Sequence, residues 1–244
     1  MPPLSDPALL AAWEAGAQRN PAERALALAA AGVPAPERQQ VGRWSPGQRD
    51  ALLLELRAAT FGDRLDGLVA CPACDEQLEV TVHADDLRAE AGDPGAEREL
   101  LVDETSHRIT FRLPASQDLA AAAHCPADQA LAALVEGCVV DAERGGEPVP
   151  ARSLPEAAVT ALGAAMAGHD PQADIRLACT CPGCGHRWSA LFDIGDFLWR
   201  EVDERARKLL GEVTALAAAF GWSEAEVLEL SEHRRRHYLE LVGR

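Results

Sequence analysis

Four of the seven cysteines in this 244-residue chain stand in two C-P-x-C knuckles, Cys71-Pro72-Ala73-Cys74 and Cys181-Pro182-Gly183-Cys184. Such a turn holds two sulfurs about 3.5–4 Å apart, and its backbone N–H groups favour the thiolate. Two turns together supply the four tetrahedral sulfurs that Zn²⁺ binds at about 2.3 Å. Each knuckle alone is half a site. Cys74 and Cys181 are 107 positions apart, further than in an ordinary zinc ribbon, so the pattern predicts that two distant strand regions meet in space. Four thiolates leave no coordination position for water or substrate, and the expected zinc is therefore structural. The redox alternative, a thiol oxidoreductase, places its C-x-x-C at a helix start after a strand, whereas strand patterns follow both pairs here. An iron–sulfur cluster or an empty thiol site are the remaining readings of four such cysteines.

A register comparison ties the knuckles together. Shifting the chain so that Cys71 and Cys74 fall on Cys181 and Cys184 also brings Leu78 onto Trp188, Val80 onto Ala190, Val82 onto Phe192, Asp86 onto Asp196 and Leu87 onto Phe197. The same unit is written twice: strand, knuckle, alternating strand, then an acidic residue opening a helix. Two such units about a pseudo-twofold axis complete one four-cysteine site. Cys179 lies beside the second knuckle but continues the apolar face of Ile175 and Leu177, as a small hydrophobe does. His186 is a possible substitute ligand for a shell that four cysteines already fill. Cys125 and Cys138 fall in Ala-rich helical sequence and read as core or neutral positions.

The elements that position these residues are mixed. Asp6-Pro7, Asn20-Pro21-Ala22-Glu23 and Ser45-Pro46-Gly47-Gln48 each put a capping side chain before a proline at a helix start. Leu52, Leu53, Leu56 and Ala59 then predict an amphipathic helix over 46–60. Leu78, Val80 and Val82, and again Ile109, Phe111 and Leu113, alternate as half-buried strands do. Helical patterns return over 117–142 and over 153–168 behind Ser153-Leu154-Pro155-Glu156. A strand-like stretch runs from Ile175 to Cys179. Past the second knuckle, Ile194, Leu198, Val202, Leu209, Leu216 and Phe220 mark a long helix ended by Gly221, and Ser223 and Ser231 open two more.

Charge and composition narrow the function. Thirty-nine carboxylates against 23 Lys and Arg give a formal charge of −16, which repels phosphate backbones and anionic membranes, so neither nucleic acid nor membrane is an expected partner. Without a bilayer-length apolar run or an export-type leader, the expected compartment is cytoplasmic, where paired cysteines are metal or redox thiols rather than disulfides. The sequence contains no phosphate-binding glycine loop, no H-E-x-x-H and no G-x-S-x-G, and His83, His107, His124, His169, His233 and His237 form no ligand-like group. The expectation is a protein that is not an enzyme. Arg234-Arg235-Arg236 reads as a solvated run near a helix end, and Phe220, Trp222 and Tyr238 as an aromatic group docking the tail.

Further stretches carry a resemblance. Leu52-Leu53-Leu54-Glu55-Leu56-Arg57 leads to Phe61-Gly62-Asp63-Arg64-Leu65-Asp66 and the first knuckle, then Phe111-Arg112-Leu113-Pro114 precedes Asp118-Leu119. Asp174-Ile175-Arg176-Leu177, Cys181 to Trp188, Phe197-Leu198-Trp199, Gly221 to Leu228, and Arg235-Arg236-x-Tyr238-Leu239 follow. Together, over most of residues 45–244, these resemble the T4-type baseplate hub assembly chaperone family of contractile phage tails and contractile injection systems. The resemblance implies a non-catalytic assembly factor or minor structural component that binds baseplate hub or spike proteins. It does not carry the zinc, because the cysteine pairs are not a feature of every member of that family; the metal rests on spacing and repeat.

The expected architecture is α+β: a small split antiparallel β module with a four-cysteine zinc-ribbon-like site, surrounded by helices. Residues 1–44 form an N-terminal helical extension. Residues 45–244 form the main domain, with knuckles at 71–74 and 181–184 and an inserted helical segment over 115–170. The rival functions are a zinc-ribbon adaptor for nucleic acid or transcription machinery, the thiol oxidoreductase, and a cargo adaptor of an injection system. Oligomeric state is not legible.

Overall fold

Local capping chemistry sets most helix starts. In the computed structural model, which describes residues 1–243, α1 (Asp6–Gly16) begins after Ser5, whose hydroxyl accepts from the Ala8 N–H. The cap is thus Ser5 rather than Asp6, and the Asp6 carboxylate is left for partners far along the chain. Complete capping boxes open α2 (Pro21–Gly32), from Asn20 with Glu23, and α3 (Pro46–Phe61), from Ser45 with Gln48. Gly62, at φ 98°, ends α3 and turns the chain into a hairpin of β1 (Arg64–Ala70) and β2 (Gln77–His83).

The middle of the chain makes its own sheet. β3 (Glu97–Val102) and β4 (His107–Arg112) are followed by α4 (Ser116–Ala122), α5 (Ala127–Cys138), β5 (Val139–Arg144) and the two-residue β6 (Glu147–Pro148), in the antiparallel order β3-β4-β5-β6. Next comes α6 (Glu156–His169), which lays Ala158 and Leu162 against Ile109, Phe111 and Leu113 in a separate apolar core. Two local expectations change here. The helical pattern over 117–142 breaks at Val139, where the β-branched pair Val139-Val140 leads into a strand that pairs with β4. Ser153 caps no helix: it sits in a short 3₁₀ turn and donates to the Pro150 carbonyl, and α6 starts after Pro155.

The second hairpin, β7 (Arg176–Thr180) and β8 (Arg187–Leu191), precedes the 27-residue α7 (Ile194–Phe220). Asp193 caps α7, and Gly221 at φ 72° ends it; α8 (Glu224–Leu228) and α9 (Glu232–Val242) complete the chain. The main core joins Leu9 and Leu10 of α1, Leu28 of α2, Leu53 and Leu56 of α3 and Leu198, Val202 and Leu209 of α7. Leu65, Val82, Leu177 and Phe192 root both hairpins in that core.

One carboxylate stitches the two cores. Asp170, just past α6 and 3% exposed, accepts the Gly47 N–H at the start of α3 and the Gly92 N–H before β3. A methyl group on Gly47 would lie 1.9 Å from that carboxylate, so the glycine is required by close approach. The architecture is α+β, and no helix among the described residues is long and apolar enough to cross a membrane.

Candidate metal centre

The two knuckles are built alike, bond for bond. In the first, the Cys71 N–H donates to the Glu76 carbonyl and the Asp75 N–H to the Cys71 carbonyl, both at 2.9 Å. In the second, the Cys181 N–H donates to His186 and the Gly185 N–H to Cys181 at the same distance. Strand register repeats as well: Ala70 pairs with Gln77 as Thr180 pairs with Arg187, and Asp66 with Thr81 as Arg176 with Leu191. The inward residues Leu78, Val80 and Val82, and their counterparts Trp188, Ala190 and Phe192, are half-buried while their neighbours face solvent. Asp86 and Asp196 each fall in the helical turn that follows their hairpin.

The repeat differs at one backbone position. Both turns need a left-handed residue after the second cysteine, which is Gly185 at φ 73° in one knuckle and Asp75 at φ 58° in the other. An L side chain there costs about 1 kcal/mol that glycine does not. Asp75→Gly is therefore expected to raise stability by about 0.5–1 kcal/mol, and Gly185→Asp to lower it similarly, both read from thermal melts of the metal-loaded protein.

Closing of the two hairpins brings all four sulfurs together. Cys71 Sγ lies 3.7 Å from Cys184 Sγ, Cys74 Sγ lies 3.6 Å from Cys181 Sγ, and all four fall within 4.8 Å of one another. A tetrahedron of sulfurs about 2.3 Å from a central ion has edges of about 3.8 Å, so the cluster has the dimensions of a tetrathiolate metal site. Cys71 and Cys181 are buried and Cys74 and Cys184 exposed, so the same pseudo-twofold relation governs access. Backbone donors favour thiolates here. The Cys184 N–H aims at Cys181 and, with the other cysteines, pulls its pKa down to about 7. At Cys74 the Glu76 N–H acts the same way, but the sulfurs of Cys184 and Cys181 oppose a further charge and push it up to about 12. All four sulfurs could be charged together only with a cation between them, and the four cysteines are placed to hold one.

The neighbouring candidates stay outside the cluster. Cys179 is buried and its thiol points to the Leu177 carbonyl at 3.6 Å. His186 is exposed and stacks on Trp188, with ring centroids 5.9 Å apart. Cys138 is buried, which raises its thiol pKa, and Cys125 is half-buried in the turn between α4 and α5. Of the six histidines that form no ligand-like group in the sequence, five are exposed and His107 is buried: it is 6% exposed at the start of β4, and its Nδ1 has no hydrogen-bond partner. Parity carries that signal, since His107 shares the inward face of Ile109 and Phe111. The arginine run also departs from expectation at one position, because Arg235 is 1% exposed and ion-paired to Asp6 and Glu212. Phe220, Trp222 and Tyr238 do pack on one another, with ring centroids 4.8–5.7 Å apart.

Among known protein families, the model described as T4 bacteriophage base plate protein matches residues 35–199, more than half of the chain and both cysteine knuckles. No curated protein and no solved structure matches.

Proposed function

Because the chain belongs to the T4 bacteriophage base plate protein family, we propose that it is a non-catalytic assembly factor or minor structural component of a contractile-tail baseplate hub. In this reading it binds hub or spike proteins on a scaffold that structural zinc holds together. The observation that carries the reading is the meeting of Cys71, Cys74, Cys181 and Cys184, from hairpins over a hundred residues apart, within 4.8 Å. Zinc fits an all-sulfur tetrahedral set better than the harder divalent ions, which prefer oxygen. With four protein ligands the ion has no site for substrate, so its work is to fix two hairpins against each other. The net charge of −16, and Asp75 and Glu76 directly beside the first knuckle, favour a protein partner over a nucleic acid.

The test has two arms. Elemental analysis of the purified chain is expected to return one zinc per chain. Co-expression with hub and spike proteins of the same tail is expected to yield a stable complex on gel filtration. A chain that copurifies only with DNA, or whose four thiols react freely with a thiol reagent under native conditions, would overturn the reading.

A further inference from the structure

A groove of about 510 Å³ opens between the two hairpins, above the first turns of α7. Its floor is apolar, made by Val80 and Val82 of β2, Leu177 and Cys179 of β7, Ala190 of β8 and Phe197 of α7. At its borders Leu68 and Leu191 are 70% and 63% exposed, so apolar surface continues outward past the cleft. That extension is more than a small ligand needs and is what a protein segment covers.

One border is an open strand edge. The bonds from the Cys71 N–H to Glu76 and from the Ala84 N–H to Asp63 fix the phase of the first hairpin. In an antiparallel pair alternate residues exchange both bonds, so Leu65, Gly67 and Val69 are the residues bonded to β2. Asp66 and Leu68 turn their N–H and C=O groups the other way, toward the groove they line. β1 pairs with β2 alone, and no backbone group takes up that edge among the described residues. Gly67, between them, leaves the floor open: a Cβ there would meet only Phe197, at 3.8 Å. A glycine inside a strand commonly marks such a close approach of another backbone.

The charge of the rim selects the occupant. Asp66, Asp193, Asp196, Glu201 and Glu204 stand there against Arg200. Arg200 is paired with Asp196, Glu201 with Arg57 and Asp66 with Arg64, which leaves Asp193 and Glu204 without a cationic partner among the described residues. We propose that an extended segment of a partner baseplate protein, with alternating apolar side chains and at least one Lys or Arg, docks in this groove by adding a strand to the free edge of β1. The proposal rests on the functional reading above and names the surface and chemistry of that partnership. Backbone bonds to Asp66 and Leu68 give affinity, the apolar floor takes every second side chain, and Asp193 and Glu204 receive the cation.

The experiment uses the full chain with each purified hub, spike and baseplate protein of the same tail, measuring affinity by calorimetry and amide protection by hydrogen exchange. Gly67→Val fills the floor with a residue suited to strands, and Leu68→Pro removes a donor that β2 does not use, so both are expected to keep the wild-type melting temperature. Glu204→Lys reverses an exposed rim charge. The expected result is a tail protein whose binding protects the Asp66 and Leu68 amides and weakens about tenfold or more in each variant. A tail protein that binds wild type and variants alike overturns this surface while leaving the baseplate role standing. Protection of the same amides by a second copy of this chain, on concentration alone, overturns the choice of occupant. Failure of every tail protein to bind overturns the groove and the baseplate role together.

Discussion

Stripping the metal with a strong chelator at neutral pH is expected to lower the melting temperature by about 10 °C or more, and to release the hairpin tips before the helical core. Structural zinc contributes of order 10 kcal/mol in small peptides that have no fold without it. Here the hairpin roots already sit in a core through Leu65, Val82, Leu177 and Phe192, so a part of that stabilisation, about 3–5 kcal/mol, is what the folded chain loses. The tips have little else, since a two-stranded hairpin is marginal alone and each knuckle's inward residues are only half-buried. Trp188, half-buried on the inward face of β8 and stacked on His186 of the second knuckle, is a local reporter: its fluorescence should shift on chelation while far-ultraviolet helicity persists. Cys71→Ser is expected to reproduce the loss and to exceed Cys74→Ser, because Cys71 is fully buried and Cys74 exposed. Partner binding should fall with stability if the hairpins form the platform. A protein shown by elemental analysis to be metal-free, yet melting at the wild-type temperature, would remove the structural role of the ion.

What could be read from the sequence was local or periodic. The knuckles were legible because a C-P-x-C turn fixes its own geometry within four residues, and because the second copy repeats both the turn and the parity of the following strand. The inward set Leu78, Val80 and Val82 matches Trp188, Ala190 and Phe192 for the same reason. Long-range pairing was not legible. Residues 127–142 are rich in alanine and valine, and beyond the β-branched pair Val139-Val140 it is the hydrogen bonds offered by β4 that decide that the helix stops at Cys138 and a strand begins. A middle sheet with its own core follows from that pairing, where helical spacing alone pointed to helices over 117–142. Asp6 illustrates the same limit at a helix start: it has the right type for a cap, but Ser5 takes that role, and the partner of the Asp6 carboxylate lies 229 positions away.

Replacing that partner, in Arg235→Met, is expected to cost about 3 kcal/mol and to detach the C-terminal helices. Arg235 is 1% exposed on α9, donates from Nε to Glu212 at 3.0 Å and from Nη1 to the Leu230 carbonyl at 2.8 Å, and pairs through Nη2 with Asp6. Arg205 of α7 touches the same two carboxylates, at 3.2 Å from Asp6 and 3.7 Å from Glu212. Two cations and two anions thus alternate around one square that ties α1, α7 and α9. Removing one cation leaves two poorly hydrated carboxylates sharing one arginine, and breaking a buried pair in this way costs about 3–5 kcal/mol. The lower figure applies because the Asp6 side chain keeps 23% of its exposure and water can enter. Arg234 and Arg236, exposed on the same helix, are expected to tolerate alanine within about 0.5 kcal/mol, although the three look identical in sequence. Arg235→Lys should recover only part of the loss, since an ammonium cannot reach a carbonyl and two carboxylates with the planar fork. In a double-mutant cycle, Asp6→Asn added to Arg235→Met should cost less than the sum of the two changes, because the first removes the charge that the second leaves uncompensated. Limited proteolysis within 221–231 should accelerate in Arg235→Met while the melting of the two cysteine-bearing hairpins is unchanged. Equal tolerance of substitution at Arg234, Arg235 and Arg236 would mean that the square does not hold the tail.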